Sequence, residues 1–184
     1  MVLDNILRYL RHRTVVKKIP SNSIVCDIGC GENAYFFKKI SGLINYGFGF
    51  DKDIEFYKDS KIELRKINFE TEKLPLSQEI VDIVTMMAVL EHLDNCQNVL
   101  QEIYRILKPG GRLILTTPSP AAKFILEFLA FKLKLISRRD IKEHKKYLSP
   151  QEIKNLLSKS GFQPEKIKTS YFEGGLNILA VAEK

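Results

Sequence analysis

Apolar runs of strand length alternate along this chain with segments whose apolar residues recur at helical spacing. This alternation is typical of an α/β domain built around a parallel sheet. It predicts strands at 23–28, 46–50, 62–67, 80–87, 112–117, 162–170 and 176–182. The last two strands follow each other without an intervening helix, so we expect them to be antiparallel.

Helices are predicted where apolar positions recur at intervals of three and four residues. They occupy 33–41, 98–107 and 149–160, and an amphipathic helix leads the chain within 1–20. Ser149 and Glu152 form the pattern of a capping box at the start of the last helix. One domain is expected to span 1–184, since a chain of this length has room for one core.

The turn after the first strand carries the most specific chemistry in the chain. Its sequence, Asp-Ile-Gly-Cys-Gly-Glu-Asn at 27–33, leads from a strand into a helix. Gly29 and Gly31 let the backbone turn sharply and let a ligand approach it closely. Asp51 ends the next strand, where a carboxylate can accept hydrogen bonds from a ribose diol. The pattern therefore predicts a nucleoside held across the carboxyl ends of adjacent strands.

Two cofactor classes fit this turn. Residues 29–34 satisfy the Gly-x-Gly-x-x-Ala form of the dinucleotide motif, which permits an NAD-dependent oxidoreductase. Asp27 and Glu32 would repel a pyrophosphate and attract the cationic amino group of a methionine moiety. The charges thus favour S-adenosylmethionine, with S-adenosylhomocysteine as the product, over NAD. A non-catalytic partner subunit that only binds the cofactor is a further alternative.

Longer blocks of sequence carry a resemblance to a known family. They read VCDIGCGEN at 25–33, GFD at 49–51, INFETEKLPL at 67–76, VDIVTMMAVLEHL at 81–93, EIYRILKPGGRLILTTPSP at 102–120 and KKYLSPQEIKNLLSKSGF at 145–162. With these blocks the chain resembles a class I S-adenosylmethionine-dependent methyltransferase of the small, ubiquinone-biosynthesis-like type. The resemblance implies a Rossmann-like three-layer α/β/α sandwich. Its seven-stranded, mostly parallel sheet would have the order 3-2-1-4-5-7-6, with strand 7 antiparallel.

The resemblance also implies roles for individual residues. Asp27, Gly29 and Gly31 would hold the methionine end of the cofactor, and Asp51 would bind the ribose. The full predicted cofactor set is Asp27, Gly29, Cys30, Gly31, Asp51, Lys52, Asn68, Phe69, Met87 and Ala88. Where many relatives carry a third glycine this chain has Asn33, a residue type that tolerates the left-handed conformation.

Residues after the fourth strand are predicted to face the methyl group and the acceptor. Histidine exchanges protons near neutral pH, so His92 is a candidate catalytic base, with a helix-cap or packing role as the alternative. Glu91, His144 and Tyr147 are the candidate substrate residues. No metal site is predicted, because the three histidines and three cysteines show no zinc-binding spacing.

Residues 118–148 interrupt the alternation and are expected to form a lid or substrate segment. From 123 to 146 the segment holds eight Lys and Arg against three acids, together with several Phe and Leu residues. A packed helix with a charged end, a lid, a membrane-surface helix and a dimer surface all remain open. The composition favours a lipid-like or anionic acceptor and a peripheral contact with an anionic membrane.

Overall composition narrows the location and the partners. The net charge is +7, three cysteines suggest no disulfide framework, and no apolar run reaches the ~20 residues that cross a bilayer. We expect a cytoplasmic protein, monomeric or homodimeric and at most peripheral to a membrane. No Asn/Asp-Pro-Pro-aromatic run follows the fourth strand, which argues against nucleic acid. O- or C-methylation of a small-molecule, lipid-like or glycan acceptor is favoured instead.

Overall fold

The computed structural model describes residues 2–132 and 144–184. Its centre is a sheet of eight strands in the order β3-β4-β2-β1-β5-β6-β8-β7. The strands are β1 Ile24–Ile28, β2 Tyr46–Asp51, β3 Tyr57–Lys58, β4 Ile62–Lys66, β5 Val81–Met87, β6 Leu107–Pro118, β7 Ile167–Phe172 and β8 Asn177–Glu183. Neighbouring strands from β4 to β6 are parallel, whereas β8 is antiparallel to both β6 and β7.

The strand order confirms the predicted Rossmann-like topology, with one correction. Without the short strand β3, the order is the predicted 3-2-1-4-5-7-6. The described chain, however, forms eight strands rather than seven. The extra strand arises because Asp59 closes a hairpin after β2: its Oδ1 accepts hydrogen bonds from the N–H groups of Lys61 and Ile62, both at 2.7 Å. This hairpin adds β3 to β4 as an antiparallel edge strand.

Helices cover both faces of the sheet and complete the three-layer sandwich. They are α1 Val2–Val16, α2 Tyr35–Ile40, α3 Cys96–Ile106, α4 Ala122–Glu127 and α5 Pro150–Lys159. On one face Phe36 and Phe37 of α2 belong to the same buried cluster as Val25 of β1. On the other face Leu100 of α3 and Leu157 of α5 belong to a second cluster. Because side chains alternate across a strand, each central strand contributes to both cores.

Local sequence explains where α5 begins. Glu152 donates its N–H to Ser149 Oγ at 3.3 Å, and Ser149 donates its N–H to Glu152 Oε2 at 2.8 Å. This reciprocal pair is the predicted capping box, which satisfies two otherwise unpaired donors of the first turn. At the other end of the chain, the leading helix ends at Val16 and therefore stops short of Pro20.

The predicted lid or substrate segment is described in part. β6 ends at Pro118, and α4 is continued by a π-helical turn over Phe128–Lys132. Beyond it, Lys145 rejoins the fold by donating its N–H to the carbonyl of Glu91 at 2.9 Å. Residues 133–143 lie outside the described residues, so the lid stays a prediction. Within the described ranges, no helix is both long enough and apolar enough to cross a membrane.

Candidate functional site

A cleft of about 570 Å³ opens at the carboxyl ends of the central parallel strands. We call it the glycine cleft. Its lining consists of Gly29, Gly31, Glu32, Asp51, Lys52, Asp53, Ile67, Asn68, Phe69, Glu70, Ala88, Val89, His92, Leu93 and Lys145. β1 pairs with β2 on one side and with β5 on the other, so the cleft lies where the strand order changes direction. Open parallel sheets bind ligands at such a point.

The turn after β1 needs its two glycines for different reasons. Gly29 has a φ of +73°, and a Cβ there would lie 2.3 Å from Cγ2 of Val89, closer than two carbon atoms can approach. Gly31 has a φ of +72°, but a Cβ there would meet nothing within 4 Å. Packing therefore requires Gly29, whereas Gly31 leaves open space in the wall of the cleft, where a ligand can come close to the backbone.

Asp51, at the end of β2, holds the glycine turn from the side. Its Oδ2 accepts a hydrogen bond from the N–H of Gly31 at 2.8 Å, and its Oδ1 accepts one from the N–H of Asp53 at 3.0 Å. A carboxylate offers about four acceptor positions. Asp51 therefore keeps the capacity to accept further hydrogen bonds, such as those of two ribose hydroxyls.

Asp27 lies in β1 just before the glycine turn and outside the residues that line the cleft. It is 1% exposed, and its Oδ1 accepts a hydrogen bond from Oγ1 of Thr85 at 2.6 Å. Burial raises the pKa of Asp27 to about 7; the Thr85 hydrogen bond opposes this rise, and the charge of Asp51 adds to it. A cationic group bound nearby would favour the ionised form and lower this pKa again.

The opposite wall of the glycine cleft is the loop after β4, which includes Asn68 and Phe69. Asn68 Oδ1 accepts the N–H of Glu70 at 3.2 Å, so this side chain stabilises its own loop. Glu70 Oε1 in turn accepts the N–H groups of Asp94 and Asn95, at 2.6 and 3.1 Å. One carboxylate thus connects the loop after β4 to the start of α3.

Besides Asp27, two further predicted cofactor residues lie outside the lining of the glycine cleft. Cys30 is buried, and its Sγ lies 3.0 Å from the point that a Cβ on Gly49 would occupy. Burial also raises the pKa of its thiol. Met87 lines a neighbouring cavity instead. At the start of α2 the left-handed residue is Ala34, with a φ of +44°, rather than Asn33.

This second cavity, of about 520 Å³, lies between α1 and the α4 region, and we call it the α1–α4 cavity. Ala88 and His92 line both spaces, so the two meet at the turn after β5. The other lining residues are Leu3, Asp4, Leu7, Arg8, Arg11, Met87, Glu91, Pro118, Ala122, Leu126, Leu129, His144, Leu176 and Asn177. Ala88 has a φ of +55°, a strained conformation of the kind that concentrates at functional turns.

Glu91 is the buried acid of the α1–α4 cavity, with 1% of its surface exposed. Its Oε2 accepts a hydrogen bond from Oγ1 of Thr117 at 3.0 Å, whereas Oε1 has no hydrogen-bond partner among the described residues. Burial raises the pKa of Glu91, although the positive charge of Arg11 is among the opposing effects. Oε1 is therefore open to a hydrogen bond from a group bound in the α1–α4 cavity.

Two histidines complete the polar side of the cavity, and a tyrosine supports one of them from outside. The rings of His92 and His144 meet edge to face with centroids 4.9 Å apart, and His144 Nδ1 hydrogen-bonds the Tyr147 hydroxyl at 2.9 Å. Burial and then the proximity of His92 lower the pKa of His144 to about 4, so His144 is neutral at pH 7. Tyr147 supports His144 without lining the cavity.

The same cluster has a geometry that the sequence did not indicate. Glu91, His92 and His144 each offer one ligand atom within 4.8 Å of the others, a grouping that can hold a metal ion. Glu91 and His92 are adjacent on the turn after β5, whereas His144 lies far along the chain. The sequence therefore showed no ligand spacing.

Several other contributors were missed. Thr85 faces Asp27 because the two residues pair in the register of β1 and β5, and a correct alignment of the predicted strands would have found it. Thr117 reaches Glu91 from the end of β6. Arg11 lines the α1–α4 cavity from the leading helix, and its only sequence signal was its place in the basic run at 11–18.

Comparisons with known proteins agree with this geometry. Residues 3–167 match the family model described as a methyltransferase domain. The chain therefore belongs to this methyltransferase family, which confirms the predicted class, a class I S-adenosylmethionine-dependent methyltransferase. The match favours methyl transfer over the NAD-dependent alternative.

Individual relatives are distant. The chain is 25% identical over 180 residues to the mitochondrial ubiquinone biosynthesis O-methyltransferase of Rattus norvegicus, covering 90% of this chain and 51% of that protein. It is 40% identical over 63 residues to the ubiquinone/menaquinone biosynthesis C-methyltransferase UbiE of Desulfotalea psychrophila, covering 34% and 26%. A crystal structure of a SAM-dependent methyltransferase from Archaeoglobus fulgidus has the same fold, with a TM-score of 0.74, 20% identity and coverage of 97% and 93%. The chain thus spans about half the length of the first of these relatives.

Proposed function

We propose that this protein transfers a methyl group from S-adenosylmethionine to an oxygen or carbon atom of a small-molecule, lipid-like or glycan acceptor, with S-adenosylhomocysteine as the product. One observation carries the proposal: the glycine cleft and the α1–α4 cavity meet at Ala88 and His92. Methyl transfer needs a donor and an acceptor held in line at short range, which two adjoining pockets can supply.

The residues of the glycine cleft fit S-adenosylmethionine. The cleft volume of about 570 Å³ is in the usual range for a small-molecule site. Open space at Gly31 leaves room for the methionine part beside the backbone, and buried Asp27 supplies negative charge below the turn. Asp51 has acceptor capacity for a ribose, and Phe69 offers an apolar wall for an adenine. When bound, the cofactor supplies an electrophilic methyl group on a sulfonium sulfur.

On the acceptor side, His92 is the residue best placed to remove a proton from an acceptor hydroxyl, because it lines both spaces. His144 stays neutral at pH 7, so it does not oppose a positive charge developing on His92. The Tyr147 hydroxyl holds the His144 ring in place. Glu91 adds a buried carboxyl that can hydrogen-bond the acceptor through Oε1.

The apolar part of the cavity supports a lipid-like acceptor. Leucines from α1, from the α4 region and from the turn before β8 form much of its wall: Leu3, Leu7, Leu126, Leu129 and Leu176. The two relatives described above are named as an O-methyltransferase and a C-methyltransferase of quinone biosynthesis. Both names support oxygen or carbon, rather than nitrogen of a nucleobase, as the atom methylated here.

The outer side of the same region supports a peripheral contact with an anionic membrane. Phe124 is 78% exposed, Phe128 is 54% exposed, and Ile125 lies beside them at 44%. Exposed Lys123 and Lys132 flank these apolar residues. An apolar patch with basic edges is typical of a surface that docks on anionic lipid. The proposal includes a cytoplasmic protein, monomeric or homodimeric, that reaches its acceptor from the membrane surface.

Thermal unfolding in the presence of S-adenosylhomocysteine or NADH tests the cofactor part of this proposal. We expect S-adenosylhomocysteine to raise the melting temperature and NADH to leave it unchanged, because only bound ligand stabilises the folded state. Release of S-adenosylhomocysteine on incubation with S-adenosylmethionine and a panel of phenolic lipids then tests turnover. Stabilisation without turnover across the panel would favour the non-catalytic partner subunit.

A further inference from the structure

The leading helix places a partly buried positive charge in the α1–α4 cavity. Arg11 lines this cavity, and its Nε is buried without a hydrogen-bond partner among the described residues. An arginine keeps its proton under all physiological conditions, so burial cannot remove this charge. Removing a charge from water without a close partner costs free energy, and such a group in a cavity is a candidate for ligand binding.

Neighbouring acids do not neutralise Arg11 at close range. Glu91 and Glu173 are its attractive electrostatic neighbours, but no ion pair within 4.0 Å joins either of them to Arg11 in the described part of the chain. Each of these acids also has one buried oxygen, Oε1 in both cases, that has no hydrogen-bond partner among the residues that the structure describes. The guanidinium of Arg11 is therefore left without an ion-pair partner among the described residues.

Other charged groups of the cavity supply no ion-pair partner to Arg11 in the described part of the chain. Asp4 and Arg8 both lie on α1, one acid and one base, and both line the cavity. Arg8 has other partners. Its guanidinium lies 4.4 Å from the centre of the Tyr35 ring and donates a hydrogen bond to Asn5 Oδ1 at 2.8 Å. Arg11 has no comparable contact among the described residues, so its guanidinium is available to a group bound in the cavity.

We propose that Arg11 is a specificity-determining residue that binds an anionic group, a carboxylate or a phosphate, on the acceptor of methyl transfer. This inference rests on the proposed function, because it treats the α1–α4 cavity as the acceptor site. A planar guanidinium can bind a carboxylate or phosphate through two parallel hydrogen bonds. The acceptor is then amphipathic: its apolar part lies against the leucines of the cavity, and its anionic group meets Arg11.

Calorimetry tests this assignment. Simple probes are titrated into the protein saturated with S-adenosylhomocysteine. Phenylacetate and benzylphosphonate carry the anion, phenylacetamide is the neutral counterpart, and 2-phenylethylamine is the cation. We expect at least one anion to bind about tenfold or more tightly than the amide, as hydrogen bonds to charged groups allow. The better of the two anions then identifies the carboxylate or the phosphate as the preferred group.

Arg11→Gln should abolish this preference, and Arg11→Lys should keep part of it. Arg13→Gln is the matched control, since Arg13 lies on the same helix with its side chain exposed, and it should behave as wild type. Affinity for S-adenosylhomocysteine should stay the same in all three variants, because Arg11 does not line the glycine cleft.

Two outcomes would overturn the assignment. In the first, the wild-type protein shows no preference for either anion. In the second, 2-phenylethylamine binds more tightly than the anions, which would mean that Glu91 and Glu173 bind a cationic group. An equal loss of the preference for anions in Arg11→Gln and Arg13→Gln would also overturn the assignment. Failure of wild type to bind S-adenosylhomocysteine would instead defeat the proposed function, so the two failures are distinguishable.

Discussion

The glycine cleft and the α1–α4 cavity are neighbours of opposite construction. In the glycine cleft the key groups are backbone turns and one carboxylate, and all of them come from the ends of adjacent strands. The α1–α4 cavity is built from side chains of α1, the turn after β5, the α4 region, residue 144 and the turn before β8. A site of the first kind is set by a short motif, whereas one of the second kind exists only once distant segments have packed.

Because the two sites are built differently, we expect mutations in them to have different effects. A change in the glycine cleft alters the shape of the backbone, so it affects folding and cofactor binding together. A change among the ionisable groups of the α1–α4 cavity alters charge and proton transfer, so it should affect turnover and selectivity while cofactor binding persists. The experiments that follow test this separation.

The largest effect is expected from His92→Asn. Asparagine can hydrogen-bond but cannot take a proton, so turnover should fall by about 100- to 10,000-fold, the usual contribution of a general base. Binding of S-adenosylhomocysteine, measured by calorimetry, should change by less than about threefold, because His92 lies at the edge of the glycine cleft. Turnover within about twofold of wild type would mean that positioning alone suffices and that His92 is not a base.

A matched pair of glycine variants separates folding from binding within the glycine cleft. In Gly29→Ala the new Cβ would lie 2.3 Å from Val89 Cγ2, so we expect the free energy of unfolding to fall by about 2–4 kcal/mol. In Gly31→Ala the backbone strain is similar but the Cβ meets nothing, so the loss should be about 1–2 kcal/mol. Urea denaturation measures both values.

Equal destabilisation by the two alanines would contradict the packing role of Gly29. Calorimetry on the folded Gly31→Ala variant completes the test, because its methyl group occupies the open space that we assign to the cofactor. The affinity of this variant for S-adenosylhomocysteine should fall by more than its loss of folding stability alone would cause.

Asp27 should make cofactor binding depend on pH. Its pKa in the folded protein is about 7, and the ionised form attracts the cationic amino group of the cofactor. The ionised fraction rises about tenfold between pH 6 and pH 8, so affinity for S-adenosylhomocysteine should rise by up to about tenfold over that interval. In Asp27→Asn the affinity should be weak and independent of pH. A wild-type affinity that does not change between these pH values would contradict this role.

The same group predicts the pH dependence of stability without ligand. Because the folded-state pKa of Asp27 is raised to about 7, the free energy of unfolding of wild type should fall as the pH rises from the ordinary value of 3.8 to about 7. Asp27→Asn should lack that part of the decrease and should be more stable than wild type at pH 8, by about 1–3 kcal/mol. Urea denaturation at pH 5 and pH 8 measures the difference.

The smallest effect concerns the outer side of the α1–α4 cavity. Replacing Phe124 and Phe128 together by serine removes apolar surface from the exposed patch, so flotation with anionic liposomes at low salt should fall by several-fold. Tyr171→Ser is the control, since Tyr171 is 57% exposed but lies on β7. An equal loss in the control, or no flotation of wild type, would remove the membrane contact from the proposal.

The sequence was sufficient for the parts of the molecule that depend on local pattern. The glycine turn and Asp51 follow from motif spacing, and the structure brings these residues together. The parallel sheet follows from the alternation of strands and helices, whereas the order of its strands was implied by the resemblance to the methyltransferase class. The edge strand β3 was not predicted, because it depends on the way in which the Asp59 side chain closes a hairpin.

Long-range packing explains what the sequence did not indicate. Cys30 follows the motif as closely as its glycine neighbours do, yet its side chain packs into the core beside Gly49. Arg11 looked like one residue of a basic run, and only the packing of α1 places it in a cavity with Glu91. The spacing of residues along the chain does not predict such contacts, because they depend on how α1 packs against the sheet.

The most direct test of the central claim is calorimetric titration of S-adenosylhomocysteine into wild type and Asp51→Ala. We expect one site per chain in wild type and an affinity about 10- to 100-fold weaker in Asp51→Ala, because a charged acceptor of ribose hydrogen bonds and of the Gly31 N–H is lost. Arg11→Gln should bind as wild type does. No binding to wild type, or equal affinity in Asp51→Ala, would contradict the assignment of the glycine cleft.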